Sequence, residues 1–464
     1  MTVMQGSDAG ALAGVAPPPR RGPLISLKRP DNPLEAVPAA AYEKLIWRMG
    51  PLGRNYLVND PDALKRILID NVANYPKTAM ERRFFQALFG DGLLSSEGET
   101  WRAHRRIMAP SFDPRSVMSY APAMAGAAAT FGEGWAGLEE GAEVDVSADM
   151  TALTLEIISR TMFSADAAAM TGATGLALRQ SQEQAFNFTI LDVLPVIGPR
   201  RLAAKVKLMG EIFAPMDGAL NQLIEARRAD PGRLDLLGRL VAALDEATGA
   251  GLTAREVRDE VLTIFVAGHE TTASAMTFVW YVLSQMPQWE ARLHDELDQV
   301  LGGRTPTEAD LPKLALTRRI IEETMRLYPP APGLSARVAL KADELGGQKI
   351  PAGSTILVAS WVLHRHRQLW DRPERFDPER FSPARSAGRP RFAYLPFGGG
   401  PRVCIGQVLA MTEATLILAT LAQRFCLRLR PDYDVRIQQR VTIRPKGGLP
   451  MRVEKRATLG RVAA

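Results

Sequence analysis

The strongest periodic signal begins at Thr253, where apolar positions recur with a helical period as far as Met286 and Pro287 then interrupts. Thr253 and Glu256 have the spacing of a capping box, a reciprocal pair that satisfies two orphan backbone donors at a helix start. Val261 to Val266 and Ala273 to Leu283 are apolar on nearly every side, which predicts a helix through the middle of the protein. Pro287 opens a second helix that runs through Leu301 and ends at Gly302-Gly303. A third spans Leu314 to Leu327 and stops at Pro329-Pro330, and a last one follows Cys404 to about Arg424. Upstream, helical spacing covers Trp101 to Met108 and Ser147 to Phe163, with a short amphipathic piece over Asp62 to Asp70. Strand signals are few: Asn55 to Val58 before the turn at Asn59-Asp60-Pro61, and Thr355 to Val358 among Gly- and Pro-punctuated segments. The fold class read from this pattern is mainly α with small β-sheets.

Composition narrows the class. Of 464 residues, 46% are hydrophobic and 23% charged, as in a soluble globular protein able to enclose a bulky group. Every long apolar run is broken by charge, Gly or Pro before it could span a bilayer. The N-terminus lacks the charged start and apolar core of a signal peptide and reads as a mobile tail over 1–23, with one domain over 24–464. Two cysteines, Cys404 and Cys426, exclude a disulfide framework and point to a reducing, cytoplasmic setting. The formal charge of +6 is scattered and forms no nucleic-acid stripe.

Four clusters carry candidate chemistry. Phe397-Gly398-Gly399-Gly400-Pro401-Arg402-Val403-Cys404-Ile405-Gly406 is a glycine-rich loop just before a helix. Free N–H groups at a helix start stabilise a thiolate, the glycines allow close approach to a flat ligand, and Arg402 suits a carboxylate on that ligand. Ala267-Gly268-His269-Glu270-Thr271-Thr272 places a glycine, an acid and two hydroxyls inside the long apolar helix, a local breach of helix rules that suggests function. Glu323 and Arg326 form an (i, i+3) pair, with Arg380 in a Pro-Glu-Arg-Phe element downstream. Trp101 and Arg105 share one helix face. Each cluster also admits a plain reading: a turn with a structural cysteine, a kink with a solvated acid, a surface ion pair, a basic helix face.

Taken in order, the four resemble the cytochrome P450 family: F-G-x-G-x-R-x-C-x-G, [A/G]-G-x-[D/E]-T, E-x-x-R with its arginine partner, and W-x-x-x-R, with no defining position missing. The resemblance implies a mainly helical fold, triangular in outline, with haem b between the long central helix and the helix after the cysteine loop. It makes Cys404 the axial iron ligand and puts Phe397, Gly398, Arg402 and Gly406 around it. Ala267 and Gly268 line the oxygen site, Thr271 and Glu270 manage protons, and Trp101, Arg105 and Arg337 bind haem carboxylates. Glu323, Arg326 and Arg380 become a buried structural triad. The segment Tyr75 to Leu94 becomes a pocket lid, with Phe84, Phe85, Leu88 and Phe89 as substrate contacts.

The implied activity is insertion of one atom of O2 into a hydrophobic small molecule, with electrons from NAD(P)H. They would arrive through a separate ferredoxin or flavodoxin and its reductase, docking near Arg385, Arg389 and Arg391, with Arg402 too buried to contribute. The expected state is a monomer without membrane anchor. A peroxide-driven hydroxylase or a haem-thiolate isomerase or dehydratase would be expected to alter the acid–threonine pair, and a non-catalytic haem protein would need no such pair. His269 reads as a packed neighbour, His364 and His366 as structural, and Cys426 as a core thiol. No histidine spacing suggests zinc. The substrate is not legible.

Overall fold

The computed structural model describes residues 12, 34, 37–50, 53–164, 197–230, 232, 235–245 and 248–456. The expected mobile tail lies outside these residues except for Leu12, which is buried.

The long helix spans Ala254–Gln285, with Thr253 as N-cap. The capping box forms: Glu256 N–H donates to Thr253 Oγ1 at 3.3 Å, and Thr253 N–H to Glu256 Oε2 at 2.8 Å. At 1.5 Å per residue the helix is about 48 Å long, enough to cross a domain. Val261 to Phe265 and Thr272 to Leu283 are buried, which is why both stretches are apolar. It packs most extensively on the helix Val146–Phe163. The helices Pro287–Leu301 and Ala315–Leu327 follow, the former ending with Gly302 in the left-handed region. The helix after the cysteine loop, Gln407–Ala422, is buried on almost every side.

Its main partner, the helix Pro114–Ala136, has no clear sequence signature because Pro122, Gly126, Gly132 and Gly134 interrupt its period. Gly132 is there for proximity: a Cβ would stand 3.3 Å from Leu421 Cδ2 on the neighbouring helix. Ala79–Phe89, Ile197–Ala229 and Leu236–Ala242 are further helices outside the sequence expectation.

The sheets are small. β1 (Ile46–Arg48), β2 (Asn55–Val58), β7 (Thr355–Leu357) and β4 (Arg337–Val338) form one, in the order β1-β2-β7-β4. The pairing of β2 with β7 is parallel, Tyr56 opposite Ile356. β3 (Glu143–Asp145), β11 (Pro450–Lys455) and β8 (Phe425–Leu429) form a second sheet. β5 (Asp343–Leu345) and β6 (Gln348–Ile350) pair antiparallel, and β9 (Ile437–Gln439) and β10 (Ile443–Pro445) form a hairpin laid on the long helix, where Ser274 Oγ donates to Ile443 O at 2.7 Å.

The Glu323–Arg326–Arg380 cluster is assembled and enclosed. Arg326 makes a bidentate pair with Glu323 at 2.7 and 2.8 Å and donates to the carbonyls of His364, Pro373 and Arg375. Arg380 Nε lies 3.4 Å from Glu323 Oε1, and the Asp377 N–H donates to that oxygen at 2.9 Å. Glu323 and Arg326 are both fully buried, so the pair staples the segment before the cysteine loop onto the helix Ala315–Leu327.

Candidate active site

A cavity of about 400 Å³ separates the long helix from the cysteine loop and the helix behind it. Thr263, Ile264, Ala267, Gly268, Thr271 and Thr272 form one wall, Pro396 to Gly399 and Arg402 to Ile405 much of the other. The glycines of the loop have specific work. Gly398 and Gly400 sit at φ +73° and +68°, the left-handed region, and a Cβ on Gly400 would overlap the carbonyl of Leu68. The resulting turn leads directly into Gln407–Ala422. The Cys404 N–H donates to Phe397 O at 2.9 Å, and the surface that Cys404 exposes opens onto the cavity. Burial pushes its thiol up; the Gly406 N–H and the Arg105 guanidinium favour the thiolate.

Positive charge gathers at the same cavity. Lys77, Arg105, Arg337 and Arg402 all line it, beside Trp101. Arg105 Nη1 donates to Val403 O at 2.9 Å. Arg402 stacks 3.9 Å over the Trp101 ring and pairs with Glu97 at 2.5 Å, and burial lowers its guanidinium to about 10. Lys77 was not foreseen, because no motif surrounds it. Its Nζ donates to Leu94 O at 2.5 Å, and burial followed by the nearby Arg402 lowers its ammonium to about 8. Arg337 Nε is buried with no hydrogen-bond partner among the described residues. Four cations, two of them buried and one of those with an unpaired donor, fit a ligand bearing acidic groups. A thiol at the opposite wall and glycines that clear space for a plane fit an iron porphyrin with two carboxylates.

Thr271 faces the cavity, and its hydroxyl donates to Ala267 O at 2.7 Å. Glu270 is not among the residues lining the cavity; its Oε1 accepts from Thr442 Oγ1 at 2.7 Å, on the β9–β10 hairpin. Thr442 lay outside the sequence expectation, since only the fold brings it here. Glu413 does line the cavity and is buried; its signal was one carboxyl in an otherwise apolar helix. His104 and Glu260 bond at 2.7 Å, and Glu260 Oε2 accepts the Leu93 N–H at 3.0 Å, which fastens the 90–94 segment to the long helix.

Of the expected substrate contacts, Phe84, Phe85 and Phe89 are not among the residues lining the cavity. Phe85 stacks on Phe89, which is buried in the core, and meets Phe84 at a tilt, while Leu93 and Leu94 occupy the wall. The side chain of Leu88 lies outside the described residues. His269 is buried, with Nδ1 2.8 Å from Phe265 O, and burial lowers its imidazole. His364 accepts the Leu395 N–H at 2.8 Å. Cys426 is half-buried rather than fully in the core, and the fold brings it near Glu290 and His294. Arg428 pairs with both oxygens of that glutamate at 2.8 Å.

This arrangement agrees with what comparison with known proteins finds. The chain belongs to the cytochrome P450 family, whose model matches residues 15–450. It is 38% identical to cyclooctat-9-en-7-ol 5-monooxygenase of Streptomyces melanosporofaciens, over 87% of this chain and 86% of that one. Pentalenene oxygenase of Streptomyces avermitilis is 34% identical, over 84% and 85% respectively. Among solved structures, the haem domain of cytochrome P450DA superposes with a TM-score of 0.78 at 28% identity, covering 89% of this chain and 90% of that one. The chain is accordingly a cytochrome P450 monooxygenase, a haem enzyme that uses O2. No helix among the described residues is long and apolar enough to cross a membrane.

Proposed function

We propose that this enzyme inserts one oxygen atom from O2 into an apolar small molecule and reduces the other to water. Electrons come from NAD(P)H through a separate ferredoxin or flavodoxin with its reductase. The observation that carries this reading is the placement of the Cys404 sulfur and the Thr271 hydroxyl on opposite walls of one cavity. Cys404 holds the iron, with Arg105 and the Gly406 N–H favouring its thiolate form. Trp101, Arg105, Arg337 and Arg402, joined by Lys77, hold the two haem carboxylates. When bound, the haem supplies oxygen activation, for which a thiolate ligand is suited. Thr271 keeps a hydroxyl proton at the cavity, and Glu270 hands protons inward from solvent. Leu93, Leu94, Ile158 and Ile264 give the cavity its apolar wall and exclude water from the substrate.

The relatives named for cyclooctatenol and pentalenene make terpenoids the first substrates to try, ahead of fatty acids, steroids and small aromatics. For the redox partner, Arg391 offers exposed charge near the loop, whereas Arg385 is exposed but paired with Asp377 at 2.7 Å. Arg389 is committed to the rings of Trp370 and Phe381, and Arg402 to Trp101.

The test is spectroscopic and kinetic. Reduced protein under carbon monoxide is expected to show a strongly red-shifted Soret band that Cys404→Ser abolishes. Thr271→Ala is expected to retain haem and ligand binding while diverting NADPH to peroxide. A serine variant with the band intact, or an alanine variant with unchanged product per NADPH, would refute the corresponding role.

A further inference from the structure

The helix Pro287–Leu301 carries Glu290, His294 and Asp298 at four-residue intervals, so the three share one face. On β8, Cys426 and Arg428 stand two residues apart and share one face of the strand. β11 places Glu454 directly opposite Cys426. The fold brings these faces together: a ring nitrogen of His294, Cys426 Sγ and a carboxylate oxygen of Glu290 all lie within 4.8 Å of one another. No hydrogen bond or ion pair among the described residues engages the His294 imidazole or the Cys426 sulfur. Both residues are half-buried, which leaves a way in from solvent, while Glu290 is buried. None of the three lines the cavity beside Cys404, so the cluster lies outside the site described above.

Charge around the cluster favours a cation. The groups acting on the imidazole and the thiol are Glu290, Asp295, Asp298 and Glu454 against Arg428 and Arg456, an anionic surplus that a dication cancels. Arg456 is held by Asp298 at 2.9 Å. Arg428 grips both Glu290 oxygens at 2.8 Å, and its Nε also meets Glu454 at 3.1 Å. The guanidinium therefore keeps an anionic partner when Glu290 turns an oxygen toward an ion, and each carboxylate oxygen has a second lone pair to offer.

We propose that Glu290, His294 and Cys426 form a metal site apart from the haem, for a zinc-like dication that ties the helix Pro287–Leu301 to β8. A thiolate with an imidazole selects zinc over the hard cations magnesium and calcium. Tetrahedral bonds of about 2.0–2.3 Å need ligand atoms roughly 3.3–3.8 Å apart, so small side-chain rotations close the set. Water takes the fourth position from the exposed side. On binding, the Cys426 S–H bond breaks, a sulfur–zinc bond forms and the proton leaves to solvent; no electrons move. Histidine spacing gave no hint of this site, because the sulfur and the imidazole come from segments that only the fold brings together.

The experiment uses the haem-loaded enzyme, in which iron engages Cys404, with Zn2+ alone as the probe. Titration calorimetry is expected to show one ion per chain with a dissociation constant below about 10 μM, and release of about one proton when buffers of different ionisation enthalpy are compared. Zinc-edge X-ray absorption should give one sulfur at about 2.3 Å and one imidazole nitrogen at about 2.0 Å. Cys426→Ala and His294→Gln are each expected to weaken binding by about tenfold or more and to remove the rise in melting temperature that zinc gives the wild-type enzyme. Carbon monoxide spectra of both variants should match the wild type, which separates loss of the ion from loss of the fold. Mg2+ and Ca2+ at the same concentration should leave the melting temperature where it was. Failure to bind one ion per chain, a zinc edge without sulfur, or unchanged affinity in both variants overturns the proposal. If a variant fails to load haem, the zinc edge of the wild-type enzyme decides, because Cys426 is the only thiol that the haem leaves free.

Discussion

Lys77 shows how much a single side chain can depend on what occupies the cavity. The residue is 7% exposed, and burial, with Arg402 nearby, lowers its ammonium to about 8. A lysine whose folded value lies below its unfolded value of 10.5 weakens the haem-free protein at neutral pH, and that penalty is relieved as pH rises from about 8 to 10.5. Lys77→Met is therefore expected to make haem-free protein more stable near pH 7 and to flatten the rise in stability across that window, as urea titrations at several pH values would report. If Lys77 meets a haem carboxylate as proposed, the sign reverses in loaded protein: the same variant should lose haem to a scavenger protein about tenfold faster, the worth of one charge-assisted hydrogen bond. Residues of this kind explain what the sequence concealed. Cys404, Arg402, Trp101 and Arg105 are recognisable because their spacing is local. Lys77, Thr442 and Glu413 acquire their surroundings only from chain segments far away.

At the level of elements, helix boundaries were readable where caps and breakers stand at both ends. Thr253, Pro287 and Gly302 define two helices to within a residue. The helix Pro114–Ala136 escaped because its period is broken by glycines that serve close packing rather than flexibility. The helix Ala315–Leu327 carries a different burden, holding the segment ahead of the cysteine loop through one buried cluster. Glu323→Gln would leave Arg326 and Arg380 facing each other without their common anion. The expected cost is about 3–5 kcal/mol, seen as a lower urea midpoint and poor haem retention. Because the cluster is enclosed, added salt should rescue little of the loss.

Across the whole molecule, the cavity is assembled from residues between Leu68 and Ala414, contributed by helices, loops and β4. A ligand that touches all of them stabilises the folded chain by mass action, so haem removal is expected to lower the melting temperature markedly. Four cations then confront one another across the empty space. Phosphate should recover part of the lost stability beyond what chloride achieves at equal ionic strength, and thermal scans in the two salts would measure the difference.

The contact between Gly400 and the Leu68 carbonyl bears on protein engineering. Because the backbone of the cysteine loop rests on that carbonyl, the sulfur's surroundings are shaped partly by the coil at Arg66–Asp70 near the other end of the chain. A loop transplanted into a related scaffold would keep its geometry only if this distant coil, or an equally close-fitting substitute, travelled with it.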